Sequence, residues 1–411
     1  MSTESTLNFI FPEAIEGITP YKVHISDTEI LDLKNRLHLI RWPDQELVHD
    51  WSQGVPLEAA KKLTDYWRDE YDWRKFENRL NQFPQYRTTI DGVGVYFIHA
   101  KSPHPHALPI LLNHGWPGSF VEFIDVIERL TDPTKFGGKV EDAFHVVVPS
   151  MPGFGFSDKP KELGWSPLRI AKAYAVLMKE KLGYQKWVAQ GGDFGSAVTH
   201  ALADLKAEGL LAAHVNLLFV VPDEYPENPT AEEQEAIRGI EDYLNKKSGY
   251  ADIMNTRPQT IGYALNDSPL ALATFIYEKF WEWTDNHGKP EDALSIDQML
   301  NDISLYWFTG TGTSAARLYW EGVGSTIRTH HFFAALRAAS GTIDLPMAAT
   351  LFPAETFTPP KHWAEAAWSN LFYWNQVDKG GHFAAFEEPK IFSEEMWKVF
   401  KKFRFDHHRN T

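Results

Sequence analysis

The stretch VAQGGDFGSAV, residues 188–198, carries the strongest structural signal in the chain. The short apolar run that ends at Ala189 is typical of a buried parallel strand, and a helix-compatible segment begins at Ser196. Three glycines surround Asp193 between these segments, at places where a β-carbon would obstruct a tight turn. A sharp strand-to-helix turn lifts the side chain at its tip above the sheet. The sequence therefore predicts an exposed carboxylate, and not a serine, as the reactive group.

The composition limits the class of protein. A chain of 411 residues is too long for one simple core and fits two or three packed units. Hydrophobic content of 43% and charged content of 23% are typical of a soluble globular protein. A net charge of −15 argues against a nucleic-acid partner. The absence of cysteine excludes disulfides and cysteine catalysis, and it fits a reducing compartment. The first residues show no signal peptide or membrane anchor, so we expect a soluble, cytoplasmic protein.

The pattern of apolar residues divides the chain into four segments. Residues 1–85 have helical periodicity and no catalytic motif, so they are predicted to wrap across the main body. Residues 86–221 alternate strands with helices, which indicates an α/β sheet with crossover connections. Residues 222–342 are helix-like and aromatic and are predicted to form a lid inserted between two strands. Strand patterns return in residues 343–411, which complete the sheet.

Three candidate catalytic residues follow predicted strands. Asp193 lies at the glycine-rich turn, Glu355 follows the strand at 347–352, and His382 follows the strand at 371–377. Functional groups of open α/β sheets gather at the carboxyl ends of the strands. The chain order of nucleophile, acid and histidine matches the order in α/β-hydrolases. The predicted fold is therefore an α/β-hydrolase sheet with an inserted helical lid and an N-terminal helical wrap.

Other interpretations of these residues stay open at the level of sequence. Asp223, Asp344 and Asp378 lie near the predicted strand ends and are rivals to Glu355 as the acid that orients the histidine. Asp193 could also act only as the N-cap of its helix, a common position for aspartate after a strand.

An aspartate nucleophile has its own chemistry. A carboxylate is suited to displacement at a saturated carbon, which leaves an alkyl ester on Asp193. His382 would then activate a water that attacks the carbonyl carbon of this ester, and Glu355 would hold the imidazole in the required tautomer. Backbone N–H groups of Trp116 and Phe194 are predicted to form the oxyanion hole.

The leaving group on the saturated carbon can be a halide or an epoxide oxygen. An opened epoxide carries an alkoxide that needs a proton, and a phenol with a pKa of about 10 is a suitable donor. Tyr250 and Tyr319 lie in the lid segment and are the candidate pair of donors. The ring of Phe194 has no N–H to bind a halide, which favours the epoxide. Three further tyrosines are assigned to the hydrophobic core: Tyr263, Tyr306 and Tyr373.

The chain resembles the microsomal-type epoxide hydrolases of the α/β-hydrolase superfamily, which include juvenile-hormone and soluble fungal members. The similarity runs from about residue 20 to residue 401. The matching stretches are HGWPGS at 114–119, PGFGFS at 152–157, GGD at 191–193, TIGYALNDSP at 260–269, FPAE at 352–355 and GGHFAAFE at 380–387.

The resemblance implies a role for each site residue. Asp193 takes the position of the nucleophile, His382 of the base and Glu355 of the relay acid, and Tyr250 and Tyr319 fall where the family keeps its ring-opening tyrosines. The bond between Trp116 and Pro117 lies where the family has a cis peptide. Phe194 replaces the tryptophan or aliphatic residue usual at its position, which should alter the pocket wall but not the backbone donor.

The resemblance also implies a small epoxide as substrate and a possible homodimer, without the membrane anchor of the mammalian members. No cofactor or metal is predicted, because the His-Glu-x-x-His motif is absent. The glycines at 191–195 are no dinucleotide fingerprint, since Asp193 stands where the pyrophosphate would lie. The alternative functions are a haloalkane or haloacid dehalogenase with the same three residues, and an inactive binding protein with the hydrolase fold.

Overall fold

A nine-stranded sheet forms the centre of the protein. The computed structural model describes Phe9 and residues 16–222, 224–323 and 342–408, with side chains up to residue 404. The strands, in chain order, are β1 Ile18–Pro20, β2 Gln85–Ile90, β3 Val93–Ala100, β4 Leu108–Asn113, β5 Phe144–Pro149, β6 Trp187–Gly191, β7 Leu210–Val215, β8 Met347–Leu351 and β9 Leu371–Gln376. Their order in the sheet is β1-β2-β3-β5-β4-β6-β7-β8-β9. The pairs from β1 to β5 are antiparallel and those from β5 to β9 are parallel, which confirms the predicted α/β sheet.

Strands β2 and β3 form a hairpin at Asp91–Gly92, a residue pair that favours two-residue hairpin turns. Both turn residues have positive φ, +48° for Asp91 and +74° for Gly92, as a two-residue hairpin turn requires. Every residue of β3 and β4 is buried, because the sheet is covered on both faces. The hairpin thus connects β1, at the edge of the sheet, to β5, where the parallel part of the sheet begins.

Helices surround this sheet. Within the described ranges they are α1 Asp27–His38, α2 Leu57–Asp69, α3 Trp73–Leu80, α4 Ile124–Thr131, α5 Pro167–Val176, α6 Asp193–Asp204, α7 Ala231–Asp242, α8 Gly249–Thr256, α9 Pro258–Asp267, α10 Pro269–Trp283, α11 Ile296–Thr309, α12 Gly312–Val323, α13 Lys361–Ala367, α14 Ala384–Glu387, α15 Pro389–Val399 and α16 Lys401–His408.

The N-terminal helices pack against the lid. A capping box forms between Ser26 and Glu29, and α1 begins there. The indole N–H of Trp67 on α2 donates to Ser304 Oγ on α11 at 2.9 Å. The hydroxyl of Tyr71 donates to Asn301 Oδ1 at 2.9 Å. Because these donors are buried or half-buried, the bonds fix α2 against α11. The four segment boundaries drawn from the sequence stay predictions.

The lid helices leave the sheet at one strand and return at its neighbour. Strands β7 and β8 are parallel partners, with Ala213 opposite Met347, and α7 to α12 lie between them in the chain. The described part of the lid segment therefore begins at the carboxyl end of β7. The turn before α6 lies at the same end of the sheet.

Two elements differ from the prediction. The apolar residues of 214–220 predict one strand, but β7 ends at Val215, and the buried residues 217–220 pack without joining the ladder. The apolar pattern of residues 388–403 predicts one helix, which the structure divides at Phe400 into α15 and α16. Pro389 is the first residue of α15, a position at which its missing N–H is not needed.

The turn from β6 to α6 is held by close backbone contacts. Asp193 has a φ of +50°, a left-handed conformation that costs a non-glycine residue about 1–3 kcal/mol. A β-carbon on Gly191 would overlap the carbonyl of Gly195, and one on Gly195 would overlap the carbonyl of Asn113 at the end of β4. The turn can therefore form only because both positions are glycine.

We expect Gly195→Ala to destabilise the protein by about 1–3 kcal/mol or more, since the added methyl meets backbone that cannot move aside. Gly249→Ala is the matched control, because the added methyl meets nothing within 4 Å. Urea unfolding followed by circular dichroism measures both. Equal stability of the two variants would contradict the close approach at Gly195.

Candidate active site

The carboxylate of Asp193 faces the loop after β4. Its Oδ1 accepts the backbone N–H of Trp116 at 2.8 Å, and its Oδ2 lies 3.3 Å from Nε2 of His382. A β-carbon on Gly115 would overlap this carboxylate. The N-cap of α6 is Gly192, so the interpretation of Asp193 as an N-cap is wrong. The carboxylate is thus held between a backbone donor and an imidazole.

His382 is held by the loops after β8 and β9. Its Nδ1 lies 2.8 Å from Oε1 of Glu355, an oxygen that also accepts the backbone N–H of Thr356 at 2.8 Å. The backbone N–H of His382 donates to the carbonyl of Trp283 on α10 at 2.9 Å. The imidazole is therefore fixed by one carboxylate on Nδ1 and by the lid through its backbone, with Nε2 left for Asp193.

Of the rival acids, the two that the structure describes are exposed, whereas His382 is buried. Asp344 is exposed and pairs with Lys206 at 2.8 Å, and Asp378 is exposed as well. Asp223 lies outside the described residues. Glu355 is the predicted acid that reaches the imidazole.

Electrostatics keep His382 charged. Burial lowers its pKa, but the adjacent carboxylates of Glu355 and Asp193 raise it more, so the pKa lies well above the usual histidine value. The buried imidazoles of His114 and His200 have a pKa of about 4, chiefly because of burial. At neutral pH, His382 is therefore an imidazolium between two carboxylates.

Tyr250 and Tyr319 are brought together around the ring of Trp116, in the loop after β4. The ring of Tyr250 on α8 stacks on Trp116 with centroids 5.0 Å apart. The ring of Tyr319 on α12 meets Trp116 edge-on at 5.6 Å and Phe194 at 4.7 Å. The two phenol rings lie 5.8 Å apart. Burial raises the pKa of both phenols, so both are protonated at neutral pH.

Tyr243 is a site residue that the sequence did not reveal. Its hydroxyl lies 2.8 Å from the hydroxyl of Tyr250, and its side chain is buried. It belongs to no recognised motif, and its one signal is a spacing of seven residues from Tyr250, which brings the two side chains near each other on a continuous helical path.

Lys279 is a second lid residue that sequence reasoning missed. Its ammonium lies 4.5 Å from the ring centroid of Tyr250, and its side chain is only 2% exposed. It pairs with Glu278 at 2.8 Å and with Glu282 at 2.7 Å. A buried cation against the face of a phenol is a favourable cation–π contact and helps to fix the ring of Tyr250.

The tyrosines assigned to the core divide into three cases. Tyr306 is buried and donates to the carbonyl of Gly118 at 2.7 Å, as predicted. Tyr373 is half-buried and donates to Glu395 at 2.8 Å. Tyr263 is 69% exposed, so its assignment to the core was wrong. It lies on the solvent face of α9, where an aromatic side chain alone does not indicate burial.

The peptide between Trp116 and Pro117 is cis, as the resemblance implied. It directly follows the N–H that donates to Asp193. Phe194 is buried at the start of α6, with its ring against Tyr319. The use of the Trp116 and Phe194 N–H groups as an oxyanion hole stays a prediction.

The sheet topology, the left-handed turn at Asp193 and the helices between β7 and β8 define an α/β-hydrolase-fold enzyme. The family profile for the alpha/beta hydrolase fold matches residues 109–250, and the profile for the epoxide hydrolase N terminus matches residues 18–123. The chain belongs to the microsomal-type epoxide hydrolases.

Relatives from several kingdoms support this membership. A Stigmatella aurantiaca protein, provisionally named an epoxide hydrolase, is 53% identical over 94% of this chain and 86% of its own length. Epoxide hydrolase 1 of Sus scrofa is 35% identical over 93% of this chain and 88% of its own. The solved Aspergillus niger epoxide hydrolase superposes with a TM-score of 0.82 at 32% identity, covering 96% of this chain and 98% of its own.

Within the ranges given above, none of the helices has the length and apolar character needed to cross a lipid bilayer.

We expect Asp193→Asn to lower the pKa of His382, because one of the two neighbouring carboxylates is replaced by a neutral amide. NMR titration of the histidine ring resonances measures this pKa. His200, whose ring Nδ1 instead lies 2.8 Å from the Ser196 carbonyl, is the internal control and should titrate alike in both proteins. An unchanged pKa of His382 would exclude the charge coupling.

Proposed function

We propose that this protein hydrolyses an epoxide to a vicinal diol through a covalent ester on Asp193. The observation that carries the proposal is the position of the Asp193 carboxylate, which contacts the Trp116 N–H and Nε2 of His382, beneath two lid phenols that contact Trp116. A nucleophile, a base and two proton donors converge on one space, as ring opening followed by ester hydrolysis requires.

In the first step, an oxygen of Asp193 attacks an epoxide carbon and the carbon–oxygen bond of the ring breaks. The electron pair of that bond passes to the epoxide oxygen, which takes a proton from Tyr250 or Tyr319. General-acid assistance of this kind is commonly worth about 10²–10⁴ in rate. Both phenols are kept protonated by burial, which supports their use as donors.

In the second step, water attacks the carbonyl carbon of the Asp193 ester and gives a proton to Nε2 of His382. Ester formation has by then removed the charge of Asp193, one of the groups that raise the pKa of His382. The imidazolium therefore gives its Nε2 proton to the phenolate left by the first step, and the neutral imidazole is the base that takes the proton of the water. The N–H of Trp116 is suited to stabilise the oxyanion of the tetrahedral intermediate.

The protons balance over the cycle. Collapse of the intermediate breaks the bond between the acyl carbon and the diol oxygen, which takes the proton held by His382. The second proton of the water leaves the regenerated carboxyl of Asp193 and returns to Nε2 of His382, which is again the imidazolium. The net change is one epoxide and one water converted to one diol, without a cofactor.

One observation favours the dehalogenase as second candidate. The indole Nε1 of Trp283 is buried without a hydrogen-bond partner in the described ranges, and its ring lies 4.9 Å from that of His382. An indole N–H can bind a halide. The paired phenols have no such use in halide displacement, so epoxide opening accounts for more of the site, and halide release from a haloalkane separates the two.

We expect His382→Gln to open the ring and then stall, because the base for the second step is missing. After mixing with racemic styrene oxide, mass spectrometry should find the peptide that contains Asp193 heavier by one substrate molecule. Asp193→Asn is the control and should give no adduct. An unmodified Asp193 peptide in His382→Gln would count against the ester.

We expect Tyr250→Phe to slow ester formation by about 100-fold or more, since a proton donor is lost. Tyr243→Phe removes only the hydrogen bond to Tyr250 and should slow the same step by about fivefold, the value of about 1 kcal/mol. Stopped-flow tryptophan fluorescence under single turnover measures this rate. Tyr263→Phe, which alters an exposed phenol, should leave it unchanged, and a normal rate in Tyr250→Phe would remove that residue from the proposal.

A further inference from the structure

A small cavity adjoins the nucleophile and the base. Its polar lining consists of Asp193, His382, Glu122, Asn113, Gln190 and Asn216. The volume of the cavity is about 10 Å³. One buried water molecule requires about this volume. The cavity is therefore of the size and polarity to hold one water beside Asp193 and His382.

Two oxygen atoms of the cavity residues lack hydrogen-bond partners. Asn113 Oδ1 and Gln190 Oε1 are buried and make no hydrogen bond within the residues that the structure describes. His382 Nε2 meets Asp193 Oδ2 at the long distance of 3.3 Å. A water needs two to four polar partners, and these residues offer both acceptors and a donor. His382 Nε2 is also the atom that the proposed second step assigns to take the proton of water.

The carboxyl of Glu122 completes this lining from the turn Phe120–Phe123, directly before α4. A β-carbon on Gly118 would overlap Oε1 of Glu122, so the carboxyl occupies the space that the glycine leaves free. Burial raises the pKa of Glu122 and the Asp302 carboxyl raises it further, while His382 lowers it and Asp193 raises it. The carboxyl is thus close enough to both reacting groups to sense their charges.

We propose that Glu122 is a positioning residue that holds the water for hydrolysis of the Asp193 ester, an inference that rests on the proposed function. One hydrogen of the water bonds to the Glu122 carboxyl, and the other is aimed at Nε2 of His382. The oxygen then forms a bond to the acyl carbon while His382 takes a proton. The bond from that carbon to the diol oxygen breaks next, and the diol oxygen takes the proton from His382.

The charges around Glu122 change in the useful direction during the cycle. Formation of the ester removes the negative charge of Asp193, which in the resting enzyme raises the pKa of Glu122. Loss of that charge therefore favours the ionised form of Glu122 at the step in which the water must react. A carboxylate accepts a hydrogen bond from water more strongly than a neutral carboxyl does.

The test is Glu122→Gln with racemic styrene oxide under single turnover, followed by rapid quenching and mass spectrometry of the Asp193 peptide. We expect ester formation within about twofold of the wild-type rate and ester decay slower by about tenfold or more. In the steady state, kcat and KM should fall together while kcat/KM is unchanged, because only the step after ester formation is affected.

A second variant keeps the carboxyl and moves it. The methyl of Gly118→Ala would meet the far end of the Glu122 side chain, so this variant should slow ester decay as Glu122→Gln does, with no further loss in the double variant. Glu128→Gln is the matched control on α4, where Glu128 pairs with Lys135 at 3.1 Å, and it should behave as wild type.

Normal ester decay in Glu122→Gln would overturn the inference. Equal slowing of ester formation and decay would overturn it too, since that result describes a general disturbance of the site. A wild-type protein that forms neither ester nor diol would instead contradict the proposed function, and this outcome is distinguishable because it does not involve Glu122.

Discussion

The close approach of the turn at Asp193 to the end of β4 is the constraint on which the site depends. Gly195 lies against the carbonyl of Asn113, and strands β4 and β6 are parallel partners whose pairing ends at Asn113 and Gly191. The loop after β4 therefore starts within reach of Asp193, and the N–H of Trp116 meets the carboxylate. The N–H of Trp116 and the carboxylate of Asp193 are placed by the same contact, so neither can move without the other.

Burial of two carboxylates beside one imidazole is costly unless each charge has a partner. The imidazolium of His382 contacts both Asp193 and Glu355, and backbone N–H groups of Trp116 and Thr356 supply the remaining bonds. Oε2 of Glu355 is buried and has no hydrogen-bond partner in the part of the chain that the structure describes. The two negative charges of the site are thus balanced chiefly by the one imidazolium between them.

The sequence predicted the sheet, the turn and the meeting of Asp193 with His382 and Glu355, because parallel strands of known order bring their carboxyl ends to one edge. The lid was predicted less well. Tyr263 was assigned to the core although it is exposed, and Tyr243 was missed although it reaches Tyr250. The strands of the sheet follow from local sequence patterns. The packing of the lid helices depends on which helix faces contact each other, and a single sequence does not determine those contacts.

The same distinction explains why Glu122 has no sequence signal of its own. Its position is set by the absence of a side chain at Gly118, four residues earlier, and by the fold that brings Gln190 and Asn216 to the same cavity. Gly118 is therefore required for a physical reason as well as by its motif, since the absence of a side chain there leaves room for the Glu122 carboxyl. A site of this kind is defined by space, and space appears only when distant segments are assembled.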